Sequence, residues 1–401
     1  MAASTATFSL PTRDRLADAC MIALAACAGA TQVSIAAAEI LLALALIGWL
    51  GMVAVRRERI DTPRFFVPLT AYAGATLVSA AFSPDPARSL LDAKEVLLFL
   101  VVPMVMRIAR GECAGRIHTV ILTVGAIAAI LGIVQYGILH YDNLGKRPQG
   151  TLTHYMTYSG VIMLVIGVAV ARVLYRQRDR AWASLVLPAV VVALALTFTR
   201  SAWVGACLGV AVLFMLKDRR LFAITPVLAA LFIAVAPARV TDRVYSMFDL
   251  KDPSNRDRLA MMQAGTAMVK DHPLTGVGPD MLTGVGPDMV TVLYPQYRVA
   301  SAVNEHAPHL HNVPMQIAAE RGLPALALWC WFIAVTAWDL VRRMRSSADP
   351  SIAAAGLAAL VSMCAAGMFE YNFGDSEFLI LLLVLVTLPF AADHPAPERT
   401  A

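Results

Sequence analysis

Residues 182–216 read WASLVLPAVVVALALTFTRSAWVGACLGVAVLFML: two apolar runs joined by a turn that carries one charge, Arg200. A membrane-crossing helix needs about 20 apolar residues. Each arm of this hairpin falls slightly short, and about fifteen residues of helix rise only about 22 Å against a hydrocarbon core of about 30 Å. The turn is therefore expected to sit below the membrane boundary. A guanidinium there costs roughly 2.5–3.5 kcal/mol on insertion scales and marks a functional site by default. The bland alternative is an Arg that snorkels to the headgroups from a short hairpin.

Working outward, similar runs recur along the chain. Twelve candidate spans lie near 16–32, 34–54, 64–82, 92–108, 117–139, 154–173, 182–198, 201–216, 220–237, 322–341, 352–369 and 376–392, with Gln32 and Ser34 the only break between the first two. The composition agrees. Of 401 residues, 58% are apolar and 15% charged, where a soluble chain has roughly 45–50% and about a quarter. Disordered chains, nucleic-acid-binding modules and ordinary soluble enzymes are excluded, and no nucleic-acid partner is expected.

The net charge of +5 follows from where the basic residues fall. Alternate connections are rich in arginine, as at Arg56, Arg57, Arg59 and Arg64, at Arg107, Arg110 and Arg116, and at Arg342, Arg343 and Arg345. The short intervening ones hold only Arg88, Lys94, Lys146, Arg147 and Arg200. By the positive-inside rule both termini are cytoplasmic. The run after the basic N-terminus shows no small-residue cleavage site and reads as a retained first span. The six cysteines include no CxxC pair, and no disulfide is expected.

The predicted fold is an all-α integral membrane protein with about twelve transmembrane helices. Residues 1–237 form the first nine, 238–321 a large outer loop carrying catalytic residues, and 322–401 the last three with a short cytoplasmic tail. Within the loop, Ser254 is placed as the cap of a helix from about Asn255 to Asp271, and a short helix is expected from Asn312 to Glu320. The octapeptides TGVGPDML and TGVGPDMV follow each other at 275–290. They read as a local duplication tolerated in a surface loop, and without a following Gly-Lys-Ser/Thr they are not phosphate loops.

The outer face gathers Arg147, Arg200, Arg256, Arg258, His306, His309 and His311, with Glu370, Asp375 and Glu377. From its pattern alone Arg258 reads first as a solvated helix charge, the usual fate of such an Arg, and Arg147 reads equally as a lipid-headgroup anchor. The segment EHAPHLHN admits two chemistries. Its histidines could ligate a metal, although no carboxylate or cysteine cluster completes a site and the spacing is not that of a helical HExxH. Alternatively, one imidazole, with an unperturbed pKa near 6.5, is a general base for a sugar hydroxyl. Nucleotide-activated donors are normally absent from that side, so a group-transfer enzyme there needs a donor activated before it crosses. A lipid-linked diphosphate clamped by guanidiniums fits.

TRSAW, NRDRLAMMQAG, KDHPLTGVGP and HLHN, in that order around one long late loop, resemble the O-antigen ligase family. RPQGTLTHYMTYSG before them and FEYNFGDSEF after them are similar to ligase segments, so the resemblance covers roughly residues 140–390. It implies a bacterial inner-membrane glycosyltransferase of the GT-C type, inverting and metal-independent, with no cofactor. Such an enzyme transfers O-antigen polysaccharide from undecaprenyl pyrophosphate to lipid A–core on the periplasmic face. His311 matches the family's catalytic histidine. Arg200 and Arg258 match arginines that bind the pyrophosphate, Arg147 matches more loosely, and His309 is a support. The family often has Trp where this chain has Met262, and the doubled GVGPD is unusual.

O-antigen polymerases share the donor but usually carry two sizeable outer loops, where this chain has one. Protein O-oligosaccharyltransferases tend to be longer at the C-terminus. A secondary transporter would show repeated halves and midplane charges, and neither is visible.

Overall fold

The computed structural model describes residues 14–176, 180–279, 289–305, 307, 309–347 and 349–394. It is helical, with no β-strand among the described residues. The α-helices are, in order, α1 (Arg15–Ala30), α2 (Ile35–Arg56), α3 (Phe66–Ala81), α4 (Pro86–Asp92), α5 (Val101–Ile108), α6 (Glu112–Gly137), α7 (Tyr155–Tyr175), α8 (Arg180–Leu196) and α9 (Arg200–Lys217). There follow α10 (Arg219–Phe222), α11 (Thr225–Val235), α12 (Ala238–Tyr245), α13 (Pro253–Asp271), α14 (Met289–Tyr297), α15 (Val313–Ser346), α16 (Ser351–Ala366) and α17 (Ser376–Ala392).

Five helices, α2, α6, α7, α9 and α15, are long and apolar enough to cross a membrane, and α3, α8, α16 and α17 are shorter apolar helices. The chain is an integral membrane protein by this measure. Two expected spans are broken. The run at 92–108 is a 3-10 helix over Ala93–Leu100 followed by α5. The run at 220–237 is divided between α10 and α11, whose 11 residues rise only about 16 Å. A hydropathy reading counts apolar residues and does not register such breaks.

α17 is buried along its length from Ser376 to Ala391, and α7 from Tyr158 to Arg172. Both are apolar all round, as a helix enclosed by others must be. α16 packs on α7, α9 and α17, while α3 packs on α15 and α8 on α6 and α7. Where α9 crosses α16, a Cβ on Gly205 would stand 2.8 Å from Ser362 O, and one on Gly209 3.0 Å from Ala358 O. Small residues let these backbones touch, which is how helices gain contact where lipid removes the hydrophobic drive. On α2, by contrast, Ile40, Leu44 and Ile47 form an exposed apolar stripe suited to lipid.

Over one end of this bundle lies a second, smaller core of Met261, Ala264, Met268, Val277, Tyr294, Leu310 and Ala319, contributed by α13, the loop after it, α14, the loop before α15 and the first turns of α15. Here the first TGVGP copy departs from expectation. It is packed rather than a surface loop: residues 276–279 are buried. Val277 N donates to Ala319 O (2.8 Å), Gly278 N to Glu320 O (2.9 Å), and Leu323 N to Pro273 O (2.8 Å). The strap accepts and caps the bend in α15, where Gly322 leaves helical geometry (φ 80°, ψ 171°). Gly276 (φ 68°) is needed as well, since a Cβ there would collide with the Glu320 backbone. The second copy, at 283–287, lies outside the described residues.

Candidate functional site

Asn312 organises the site. Its Oδ1 accepts from Met315 N (2.8 Å) as the N-cap of α15, and its Nδ2 donates to Met368 O (2.9 Å). Val313 N donates to Gly367 O (2.6 Å). The start of α15 is thus tied to the connection between α16 and α17. His311, directly before the cap, takes a left-handed backbone (φ 49°), a conformation that costs a non-glycine residue on the order of 1–3 kcal/mol and clusters at functional sites.

The turn brings the His311 ring onto Glu370. His311 Nδ1 lies 3.0 Å from Glu370 Oε1 and 3.1 Å from Oε2. His309 Nε2 is 3.6 Å from the same Oε1, and the two imidazoles meet edge to face at 4.1 Å. Arg258 stands 4.0 Å from Glu370 Oε2. Burial alone would raise the pKa of Glu370; the charge and hydrogen bond of His311, with His309 and Arg258, instead hold it well below the usual carboxylate range. Burial pushes His309 down to about 4, helped by the neighbouring His311. Near neutral pH, then, Glu370 is an anion and His309 is neutral.

Arg258 also opens onto a cavity of about 270 Å³ shared with Arg147, Arg200 and Arg243. Each guanidinium arrives from a different element. Arg200 is the first residue of α9, after a turn in which Phe198 has φ 55°. It is 6% exposed and donates to Ser246 O (2.9 Å) and Ser254 Oγ (3.2 Å). Arg243 comes from α12, Arg258 from α13, and Arg147 from the loop before α7, where it stacks on Tyr155 at 4.2 Å. Burial lowers the pKa of Arg147 and Arg243, though guanidiniums stay charged in proteins. Among the described residues Asp252 is the one carboxylate lining this cavity, 3.6 Å from both Arg200 and Arg243. It also caps α13, accepting from Ser254 N and Asn255 N. The cap is therefore Asp252, two residues earlier than the expected Ser254. Arg243 Nε and Arg258 Nε are buried donors with no acceptor among the described residues. Four cations facing one anion make a receptor for a multiply charged oxyanion.

The structure brings together Arg147, Arg200, Arg258, His309 and His311. His306 lies outside the described residues, and Arg256 is exposed. Asp375 hydrogen-bonds Thr157 (3.1 Å), and burial raises it to about 7. Two members were not picked out from sequence. Arg243 sits in TDRVYS, with no signal beyond the amphipathic pattern of α12. Glu370 was visible only as part of an acidic group, because its partner His311 is 59 residues away.

The sequence shows no carboxylate or cysteine cluster beside these histidines, but the fold brings Glu370 to them. Ligand atoms of His309, His311 and Glu370 lie within 4.8 Å of one another. The neighbouring guanidinium of Arg258 opposes a dication there and favours reading the set as a hydrogen-bonded base.

No curated protein matches the chain. Residues 183–330 match the family model described as O-antigen ligase, a stretch that contains Arg200, Arg243, Arg258, His309 and His311.

Proposed function

We propose that this protein is an O-antigen ligase of the bacterial inner membrane, transferring polysaccharide from undecaprenyl pyrophosphate to lipid A–core on the periplasmic face. The observation that carries the reading is Arg258, which borders both the four-arginine cavity and the His311–Glu370 pair. A diphosphate held in the cavity presents its sugar C1 next to the imidazole. With Nδ1–H donated to Glu370, His311 Nε2 carries the lone pair and accepts the proton of the acceptor hydroxyl. That oxygen attacks C1 from the face opposite the diphosphate, the C1–O bond breaks, and the electron pair leaves with the lipid diphosphate. The arginines stabilise the charge that develops on it. Inversion at C1 follows from the single displacement.

The proposed topology places the termini in the cytoplasm, the 238–321 region in the periplasm, and the spans in a GT-C-type arrangement. The distribution of Lys and Arg supports it. The decisive assay uses purified protein, lipid-linked donor and lipid A–core. Polymer joined to lipid A–core by the wild type, and not by His311→Ala, is the expected result. Extension of lipid-linked chains instead would make the protein a polymerase. Reporter fusions placing 238–313 in the cytosol would overturn the reading.

A further inference from the structure

α15 and α17 begin at the His311 site and end together on the opposite face of the bundle. There they enclose a cavity of about 750 Å³ with the segment 62–64 that precedes α3. Its charged walls include Arg64, Arg342, Arg343 and Arg345 with Asp339 and Asp393. Arg343 is paired with Asp393 and lies over the Phe390 ring at 4.1 Å, and Arg64 is 3.7 Å from the buried Asp339. Arg342 and Arg345 have no carboxylate within ion-pair distance among the described residues. Two guanidiniums are therefore left over.

Trp338, Arg342 and Arg345 follow each other at i, i+4 and i+7, so they share one face of α15, and all three are exposed. That face puts an indole one turn inside two unmatched guanidiniums. Indoles settle at headgroup level in a bilayer, while guanidiniums at that depth meet phosphodiesters and bind them bidentately. Topological bias toward basic residues asks only for charge; it does not require a cavity whose other two arginines are already neutralised from within.

We infer that the cavity at the ends of α15 and α17 is a binding site for the phosphodiester headgroup of an anionic phospholipid, held by Arg342 and Arg345. The site is separate from the arginines that face His311 and does not depend on the transfer reaction.

The test is native mass spectrometry of purified full-length protein, equilibrated in detergent with phosphatidylglycerol, cardiolipin or phosphatidylethanolamine. Both anionic lipids are retained about 10-fold more than phosphatidylethanolamine, and Arg342→Ala/Arg345→Ala loses most of that preference. Arg342→Gln/Arg345→Gln, which keeps the length and polarity of the side chains, provides the same reading if the alanine variant does not fold. Equal retention of all three lipids, or an unchanged preference in the folded double variant, would overturn the site. Displacement of phosphatidylglycerol by millimolar inorganic phosphate would reject the lipid and assign the cavity to a soluble phosphate.

Discussion

His311 Nδ1 and Glu370 Oε1 are 3.0 Å apart across 59 residues of sequence, and the Asn312 cap fixes both ends of that contact. The carboxylate selects the tautomer with Nδ1 protonated and keeps Nε2 basic, much as a buried carboxylate orients the histidine of a hydrolase. His311→Ala is expected to lower kcat by about 10²–10⁴-fold, the range of a lost general base. Glu370→Gln keeps the size but removes the anion. It should lower kcat by at least about 10-fold with little change in donor KM, and shift the acidic limb of the kcat–pH profile downward. An unchanged profile would leave Glu370 a structural residue.

Arg243→Ala and Arg200→Ala should each raise donor KM by about 10–100-fold, as a lost charge-assisted hydrogen bond worth roughly 1.5–3 kcal/mol requires, and leave acceptor KM within a few-fold. Arg243→Lys recovers only part, because an ammonium has no planar fork. Initial rates with donor and acceptor varied separately decide this. A larger effect on the acceptor would move the diphosphate out of the cavity.

Much of this site could be read in advance. Arg200, Arg258 and His311 sit in short motifs whose chemistry is local: a charge in a short hairpin, an Arg early in a loop helix, an imidazole before a cap. Arg243 and Glu370 could not be read the same way. One looks like any solvated charge on an amphipathic helix, and the other acts only through contacts made by folding. The span pattern was legible where helices are continuous. It does not foresee the 3-10 segment before α5 or the break before α11, because hydropathy does not encode hydrogen-bond geometry.

The strap offers a stability test. Gly276→Ala adds a Cβ against the Glu320 backbone at φ 68°, so the loop must move and the bend in α15 loses its partner. A loss on the order of 2–4 kcal/mol is expected, read as a lowered thermal midpoint in detergent. Gly74→Ala is the control. No atom stands within 4 Å of a Cβ at Gly74, and its position inside α3 makes alanine neutral or mildly stabilising.

Acid should weaken the fold through His309. Its pKa in the folded protein is about 4, below the ordinary 6.5, so between these values the unfolded chain binds a proton that the folded chain does not. Stability therefore rises with pH across that window and falls as pH drops from about 6.5 to 4, by up to about 3 kcal/mol. Glu370 acts in the same direction at the acid end, since its depressed pKa keeps it ionised after the unfolded carboxyl has protonated. His309→Gln removes the histidine contribution. Its thermal midpoint should depend less on pH between 6.5 and 4 than that of the wild type, and parallel curves would show that the acid sensitivity arises elsewhere.

Chelation separates the two chemistries open to His309, His311 and Glu370. A divalent ion at this triad would occupy His311 Nδ1, the atom that the base mechanism gives to Glu370, and would stand beside the guanidinium of Arg258. The base reading predicts that EDTA leaves the initial rate of transfer unchanged and that added zinc or magnesium does not raise it. Zinc could even inhibit, by binding the imidazoles and displacing the Nδ1–H bond to Glu370. Loss of activity in EDTA, restored by one divalent ion and abolished by Glu370→Gln, would make the triad a metal centre and Glu370 a ligand.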